Sequence, residues 1–386
     1  MYAKFEQALA AAVASRNIAG AVAVTVDRNG QTYRHSAGVR SADGPALMSL
    51  DTVFWLASMT KAITSVAALQ LVEQGRLRLD SDLATVIPEF AGLQVLEGFD
   101  PDGTPRLRAP KRVVTLRHLL THMAGFGYSF IHPQIPQWQA AVGAGDPSSG
   151  ARSAMVQPLL FDPGDAWAYG ISTDWVGVAV EAASGQKLDA YFRDHILAPL
   201  GMIDTGFSPG PQQQSRKAGV HVHGEDGAVT PFPFGMPAAP EVWSGGGGLY
   251  GTAPDYGRFV QMLLNGGILD GARILQTETT ALLSGVQTGD YRAGAFTSCA
   301  PMLSNDFDVY PGMRTGHGLA TMITPEATAE GRNPGSLAWA GLANTYYWVD
   351  PTAGIGGVLM TQLLPFGDRE VLGLLSALER GAYRST

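Results

Sequence analysis

Strand-like runs lie at both ends of the chain, and that distribution constrains the fold more than any other feature. Near the N-terminus, "GAVAVTVDRNGQTYRHSAG" places two alternating, β-rich runs on either side of Arg28-Asn29-Gly30. Asn-Gly between such runs is a strong hairpin signal, because the tight turn needs residues that accept positive φ. Near the C-terminus, "NTYYWVDP" and "GIGGVLMTQLL" read as further strands. Residues from about 80 to 235 instead carry short helix candidates between Pro/Gly-rich loops, "LRHLLTHMAG" and "TDWVGVAVEAASG" among them. Within that stretch "LEGFDPDGTPRLRAPKR" reads as a turn-rich excursion. The simplest assembly is an α+β fold. One antiparallel sheet draws on residues 1–80 and 236–386, terminal helices cover it, and residues 81–235 form an inserted, mainly helical domain. A cleft between sheet and insertion is a natural place for a site.

Helical periodicity supplies the covering layers. Phe5, Leu9 and Val13 recur every four residues in a first amphipathic helix, and a final helix is expected around Val371–Arg380. From Met59 to Leu77, the spacing of Ile63, Val66, Ala67, Leu71 and Val72 predicts another helix, with Gly75 near its end. "SGGGGLYGTAPDYGRFVQMLLNGG" reads as a Gly-rich turn followed by a helix.

Composition removes several function classes. The net charge of −8 is spread without long runs, so no nucleic-acid surface is expected. No stretch of about 18 apolar residues exists, so no membrane span is expected. Charges interrupt the first helix where a signal peptide would be continuously apolar, which points to the cytoplasm. Cys299 is the single cysteine, so no intrachain disulfide can form; with no motif around it, a structural role is expected.

Two serines compete as nucleophile. Ser208 lies in "GFSPG", a G-x-S-x-G match. In a nucleophile elbow the residue after the serine donates its backbone N–H to the oxyanion. Here that residue is Pro209, which has no N–H, and the flanking segments read as loop rather than buried strand and helix. Ser208 is therefore expected on a surface turn. Ser58 lies in "SMTK", with Lys61 three residues on. At the start of a helix, positions i and i+3 share a face, so the amine reaches the hydroxyl. The helix N-terminus favours a developing oxyanion. Serine is a weak nucleophile until a base takes its proton, and lysine can serve. "FDPGDAWAYGISTDW" adds Tyr169 in a loop entering a helix, and "SLAWAGLANTYYWVDP" adds Trp339-Ala340-Gly341 on a strand edge.

Serine, lysine, tyrosine and a W-x-G strand, in this order, resemble the serine β-lactamase and penicillin-binding-protein superfamily. The likeness is closer to class C β-lactamases and family VIII carboxylesterases, and "VVTLRHLLTH", "LLTHMAGFGYS" and "GGGGLYGTAPDYGRFV" extend it over nearly the whole chain. The resemblance implies a β-lactamase-like fold and an acyl-serine mechanism without cofactor. Ser58 is then the nucleophile, Lys61 its base partner and Tyr169 the second acid/base group. The backbone N–H groups of Ser58 and Leu342 form the oxyanion hole. Which of Lys61 and Tyr169 takes the first proton stays open.

Two departures bear on substrate. The Y-x-N motif is Tyr169-Gly170-Ile171, and the K-T-G motif is Trp339-Ala340-Gly341. An indole cannot pair with a substrate carboxylate, and a buried carboxylate without a partner is unfavourable. Trp339, Ala340 and Gly341 are therefore expected to bind a neutral ester, with Tyr128 lining the cleft. His221 and His223 share a strand face without an obvious third ligand, so a solvated strand is expected and no metal. Asp174 is expected to cap or orient the helix after Tyr169. The function expected is a serine carboxylesterase for small, short-chain neutral esters. Acyltransferase, β-lactamase or D-peptidase activity on the same site is the alternative, and a non-catalytic scaffold relative is a third.

Overall fold

The structure, a computed structural model, describes residues 2–224, 226–308 and 310–384. Its main sheet has seven antiparallel strands: β1 (Gly20–Asp27), β2 (Gln31–Gly38), β3 (Gly316–His317), β4 (Met322–Thr324), β5 (Ser336–Gly341), β6 (Thr345–Asp350) and β7 (Ile355–Met360). They lie in the order β3-β4-β5-β6-β7-β1-β2, so the N-terminal hairpin adds to strands from the far end of the chain. The two ends of the chain therefore meet in one sheet, in a mixed α+β fold.

Five helices matter to the site: α1 (Ala3–Ala14), α2 (Thr60–Glu73), α3 (Ser172–Ser184), α4 (Ala253–Leu264) and α5 (Arg369–Tyr383). α1 and α5 cover one face of the sheet. Phe5 and Leu9 meet Val371, Leu374 and Leu378 there, over Ala21, Ala23, Trp348 and Leu359. α4 covers the other face, where Val22, Val24, Tyr347 and Val358 pack against Phe259 and Val260. β1 is therefore buried on both faces, and the alternation expected from its sequence is not seen in its burial. Full burial of one Leu or Val stabilises by roughly 1.5–3 kcal/mol, so these two layers dominate the favourable side of folding.

Every residue of α2 from Thr60 to Leu71 is buried. A helix enclosed all round belongs to the centre of a molecule. It ends at Glu73, four residues before the expected Leu77, because Gly75 turns the chain at φ +70°. The stretch expected to be a turn-rich excursion forms a small hairpin, Val95–Phe99 with Pro105–Arg108. Its turn residues are those read from the sequence; its short strands, buried only at Val95 and Leu96, carry no strong alternation.

Candidate active site

Ser58 sits in a 3-10 turn, Ala57–Met59, that runs straight into α2. Ala57 has φ +47°, a left-handed conformation that costs a non-glycine residue about 1–2 kcal/mol. The surroundings fix it. The Leu56 N–H donates to Leu249 O at 2.9 Å, and Thr345 Oγ1 donates to Leu56 O at 3.1 Å. Gln362 bonds both backbone groups of Trp55, at 3.0 Å each. A strained turn held from three sides presents the Ser58 hydroxyl at a helix N-terminus.

Lys61, 2% exposed, lies one turn on. Its Nζ is 3.1 Å from Ser58 Oγ, 3.0 Å from Tyr128 Oη and 2.6 Å from Gly246 O. The last contact comes from the Gly-rich turn foreseen after Ser244. Thr64 Oγ1 donates to Gly245 O at 2.6 Å, and Trp55 Nε1 to Gly247 O at 2.7 Å. Asp174 holds the turn from the other side: its Oδ1 accepts from Gly246 N at 3.0 Å and from Ser244 Oγ at 2.6 Å. A Cβ on Gly246 would lie 2.3 Å from Asp174 Oδ2 and would push that carboxylate out of its place. Asp174 thus lies in the first turn of α3 and orients the carbonyl that Lys61 touches.

Tyr169 does not hydrogen-bond Lys61. Its ring centroid lies 4.8 Å from Lys61 Nζ, and its hydroxyl receives the Trp339 indole N–H at 3.3 Å. Tyr128, read from the sequence only as a wall of the cleft, supplies the hydroxyl beside Lys61. Burial, Asp174 and Tyr169 push the Tyr128 phenol well above its usual range, so it keeps its proton. The Tyr128 N–H donates to Tyr169 O at 3.2 Å, and a Cβ on Gly170 would lie 2.2 Å from Phe126 O. These close approaches set the two tyrosines side by side, with rings 5.1 Å apart.

β5 closes the site. A Cβ on Gly341 would lie 2.2 Å from Thr345 Oγ1 and 2.3 Å from Leu56 O, so the glycine of the W-x-G motif lets the strand touch the Ser58 turn. Trp339 is half-buried, with its ring 5.1 Å from that of Tyr169. Behind them stand His122 and His317, 5.3 Å apart. Burial is the main cause that keeps both neutral, His317 at about 4 and His122 well below its ordinary value. Neither was singled out in the sequence. The aromatic and histidine side chains around Tyr169 carry no spacing signal, since they come from separate segments of the chain.

The other sequence-predicted residues lie elsewhere. Ser208 is exposed on a bend. His221 is buried rather than solvated. Its Nε2 accepts from Ala42 N at 3.0 Å, so Nδ1 carries the proton and donates to Gln362 O at 3.1 Å. His223 faces Asp368 at 3.1 Å instead. Cys299 is exposed, not packed in a core; its thiol donates to Ser129 O at 3.2 Å.

Ser58, Tyr128, Tyr169, Asp174, Trp339 and Gly341 line a cavity of about 360 Å³ with mainly apolar walls, Trp55, Phe130, Phe234 and Met236 among them. Among the described residues, no helix is long and apolar enough to cross a membrane.

A family model described as "Beta-lactamase" matches residues 5–379. The monacolin J acid methylbutanoyltransferase of Aspergillus terreus is 31% identical over 98% of this chain and 94% of its own length. The lovastatin esterase of Penicillium rubens is 31% identical over 97% of this chain and 96% of its own. Among solved structures, the unliganded simvastatin synthase of Aspergillus terreus superposes with a TM-score of 0.84 at 30% identity, covering 99% of this chain and 98% of that one.

Proposed function

The chain belongs to the beta-lactamase family, and from that premise we propose that it is an acyl-serine enzyme that cleaves neutral carboxylic esters. One observation carries the reading: among the described residues, the only basic group in hydrogen-bond contact with Ser58 Oγ is Lys61, held there by Tyr128 and Gly246. Lys61 Nζ, placed by its contacts with Gly246 O and Tyr128 Oη, accepts the Ser58 proton. Ser58 Oγ then attacks the ester carbonyl, whose oxygen turns toward the N–H groups of Ser58 and Leu342. Preorganised donors of this kind are worth roughly 2.7–4 kcal/mol each in acyl transfer. Tyr169, with its hydroxyl oriented by Trp339, returns a proton to the leaving alkoxide. Water, activated by the same groups in reverse, releases the acid.

Trp339 stands where a lactamase-type relative has a cation, which supports neutral over anionic groups next to the scissile bond. The cavity volume exceeds what a short-chain ester needs, so one arm of the substrate is larger than the sequence suggested. A second reading, transfer of the acyl group to an alcohol, is favoured by the apolar walls, which disfavour water, and by the transferase among the relatives. The test is product analysis with a neutral activated ester, with and without a bulky apolar alcohol. Acid alone in both reactions supports hydrolysis, a new ester supports transfer, and no turnover of any neutral ester contradicts both.

A further inference from the structure

We infer that the site continues round the sheet edge into a second chamber, where the buried Arg332 receives an uncharged hydrogen-bond acceptor on the far end of one arm of the ester. The inference rests on the acyl-serine reading and specifies its substrate.

Alternation along β5 divides the cavity. Trp339 faces the Tyr169 side, while Ala338 and Ala340 face the side of α1 and α5. β4 pairs only with Ser336–Ala338, so among the described residues no strand covers the Trp339–Gly341 edge. The cavity passes over that open edge. A row of rings marks its course: Tyr169 to Phe296 at 6.3 Å, Phe296 to Phe307 at 5.8 Å, Phe307 to Phe366 at 4.6 Å, Phe366 to Tyr346 at 6.0 Å. The short side chains of Ala338 and Ala340 leave the room beneath it.

Arg332 lines the far end and is 3% exposed. Its Nε and Nη2 donate to Glu379 Oε2 and Oε1 at 2.9 and 2.5 Å, and its guanidinium lies 5.6 Å from the Trp348 ring. Among the described residues, nothing accepts from Nη1. Nη1 is thus the part of the guanidinium left for an acceptor in the cavity that Arg332 lines, water or ligand. Glu379 already neutralises Arg332, and a second carboxylate there would bring an uncompensated buried charge. The fitting end group is therefore a ketone, hydroxyl or ester carbonyl that displaces water and keeps the bond. Trp348 pairs with Ala338, three residues along β5 from Gly341, so the arm covers at least about 10 Å at about 3.3 Å per residue, and more where it rounds the edge.

The experiment compares kcat/KM for three ester series of increasing length, two neutral ones ending in a ketone or a methyl group and one ending in a carboxylate. The end group is placed on the acyl arm in one set and on the alcohol arm in another, which identifies the arm. The wild type should prefer the ketone over the methyl end by about tenfold at one intermediate length, with the carboxylate below both. Arg332→Met with Glu379→Met removes both charges together and so leaves neither unpaired; the ketone preference should fall to near one. Equal rates for ketone and methyl ends at every length overturn the inference, as does a preference that survives the double substitution. The best rates with the carboxylate also overturn it. If the double variant does not fold, the wild-type length profile decides: a ketone preference at every length alike contradicts an acceptor site at one distance. An acetyl ester, too short to reach Arg332, tests the underlying reading separately. If it too is not turned over, the acyl-serine mechanism fails, and this inference with it.

Discussion

Around Ser58, each neighbouring group has a separable task, and substitutions tell them apart. Ser58→Ala should abolish ester turnover, whereas Ser208→Ala, on an exposed bend followed by a proline, should leave it near wild type; an active Ser58→Ala protein would contradict the assignment. Lys61→Ala and Tyr169→Phe should each lower kcat by about 10²–10⁴-fold with the fold intact by circular dichroism. The double variant should be little worse than the worse single one, because groups acting as a unit are not additive; multiplicative losses would mean that the two work independently. Tyr128→Phe removes one of three partners of Lys61 and should also reduce kcat, more than a mere wall residue would. Trp339→Phe keeps an aromatic wall but deletes the N–H that meets Tyr169, so kcat should fall while KM for a neutral ester changes little. Trp339→Lys should narrow the gap between neutral and carboxylate-bearing esters; if the wild type already prefers an anion next to the scissile bond, another cation lines the cleft.

Among the elements, the contact of β5 with the Ser58 turn is the closest approach that matters. Gly341→Ala would drive a methyl group into Leu56 O and Thr345 Oγ1, and overpacking of this kind destabilises by about 1–3 kcal/mol. The same shift moves Leu342 N–H away from Ser58, so activity should drop further than stability explains. Gly373→Ala, in the exposed interior of α5 with nothing near its Cβ, should instead stabilise by about 0.5–1 kcal/mol and leave turnover unchanged. Denaturant midpoints and kcat/KM measured on both variants check the pair. This contrast also shows what the sequence could and could not reveal. Ser58, Lys61, Tyr169 and Trp339 sit in local motifs whose spacing carries a mechanism, and the end strands declared themselves by alternation and an Asn-Gly turn. Tyr128 beside Lys61, Asp174 behind Gly246, and His122 and His317 behind Tyr169 come from segments far apart in the chain. Their juxtaposition follows from close backbone approaches at Gly170, Gly246 and Gly341, which no periodicity encodes. The left-handed Ala57 was equally hidden, because nothing in "WLASMTK" asks for positive φ.

For the whole molecule, burying two neutral imidazoles couples the site to acid stability. His317 falls from 6.5 to about 4 on folding, mainly through burial. Between those pH values the unfolded chain binds more protons than the native one, so stability is full above about 6.5 and declines toward 4. The shift corresponds to roughly 3 kcal/mol for His317. Asp255, raised to about 6 by burial, acts in the opposite sense over the lower part of that range, so the histidine contribution is read as a difference. His317→Gln should flatten the fall in denaturant midpoint between pH 6.5 and 4; an unchanged slope would mean that His317 titrates normally in the folded protein. The overall arrangement places one polar cluster, Ser58, Lys61, Tyr128 and Asp174, at the junction of sheet and helices, beside a mainly apolar cavity. The central claim is that Ser58 is the residue this cluster activates. Intact-protein mass spectrometry after reaction with a neutral phosphonate ester, followed by peptide mapping, tests it most directly. A single adduct on Ser58 that is lost in Lys61→Ala is the expected result; an adduct on Ser208, or none at all on a folded wild-type protein, would contradict the assignment.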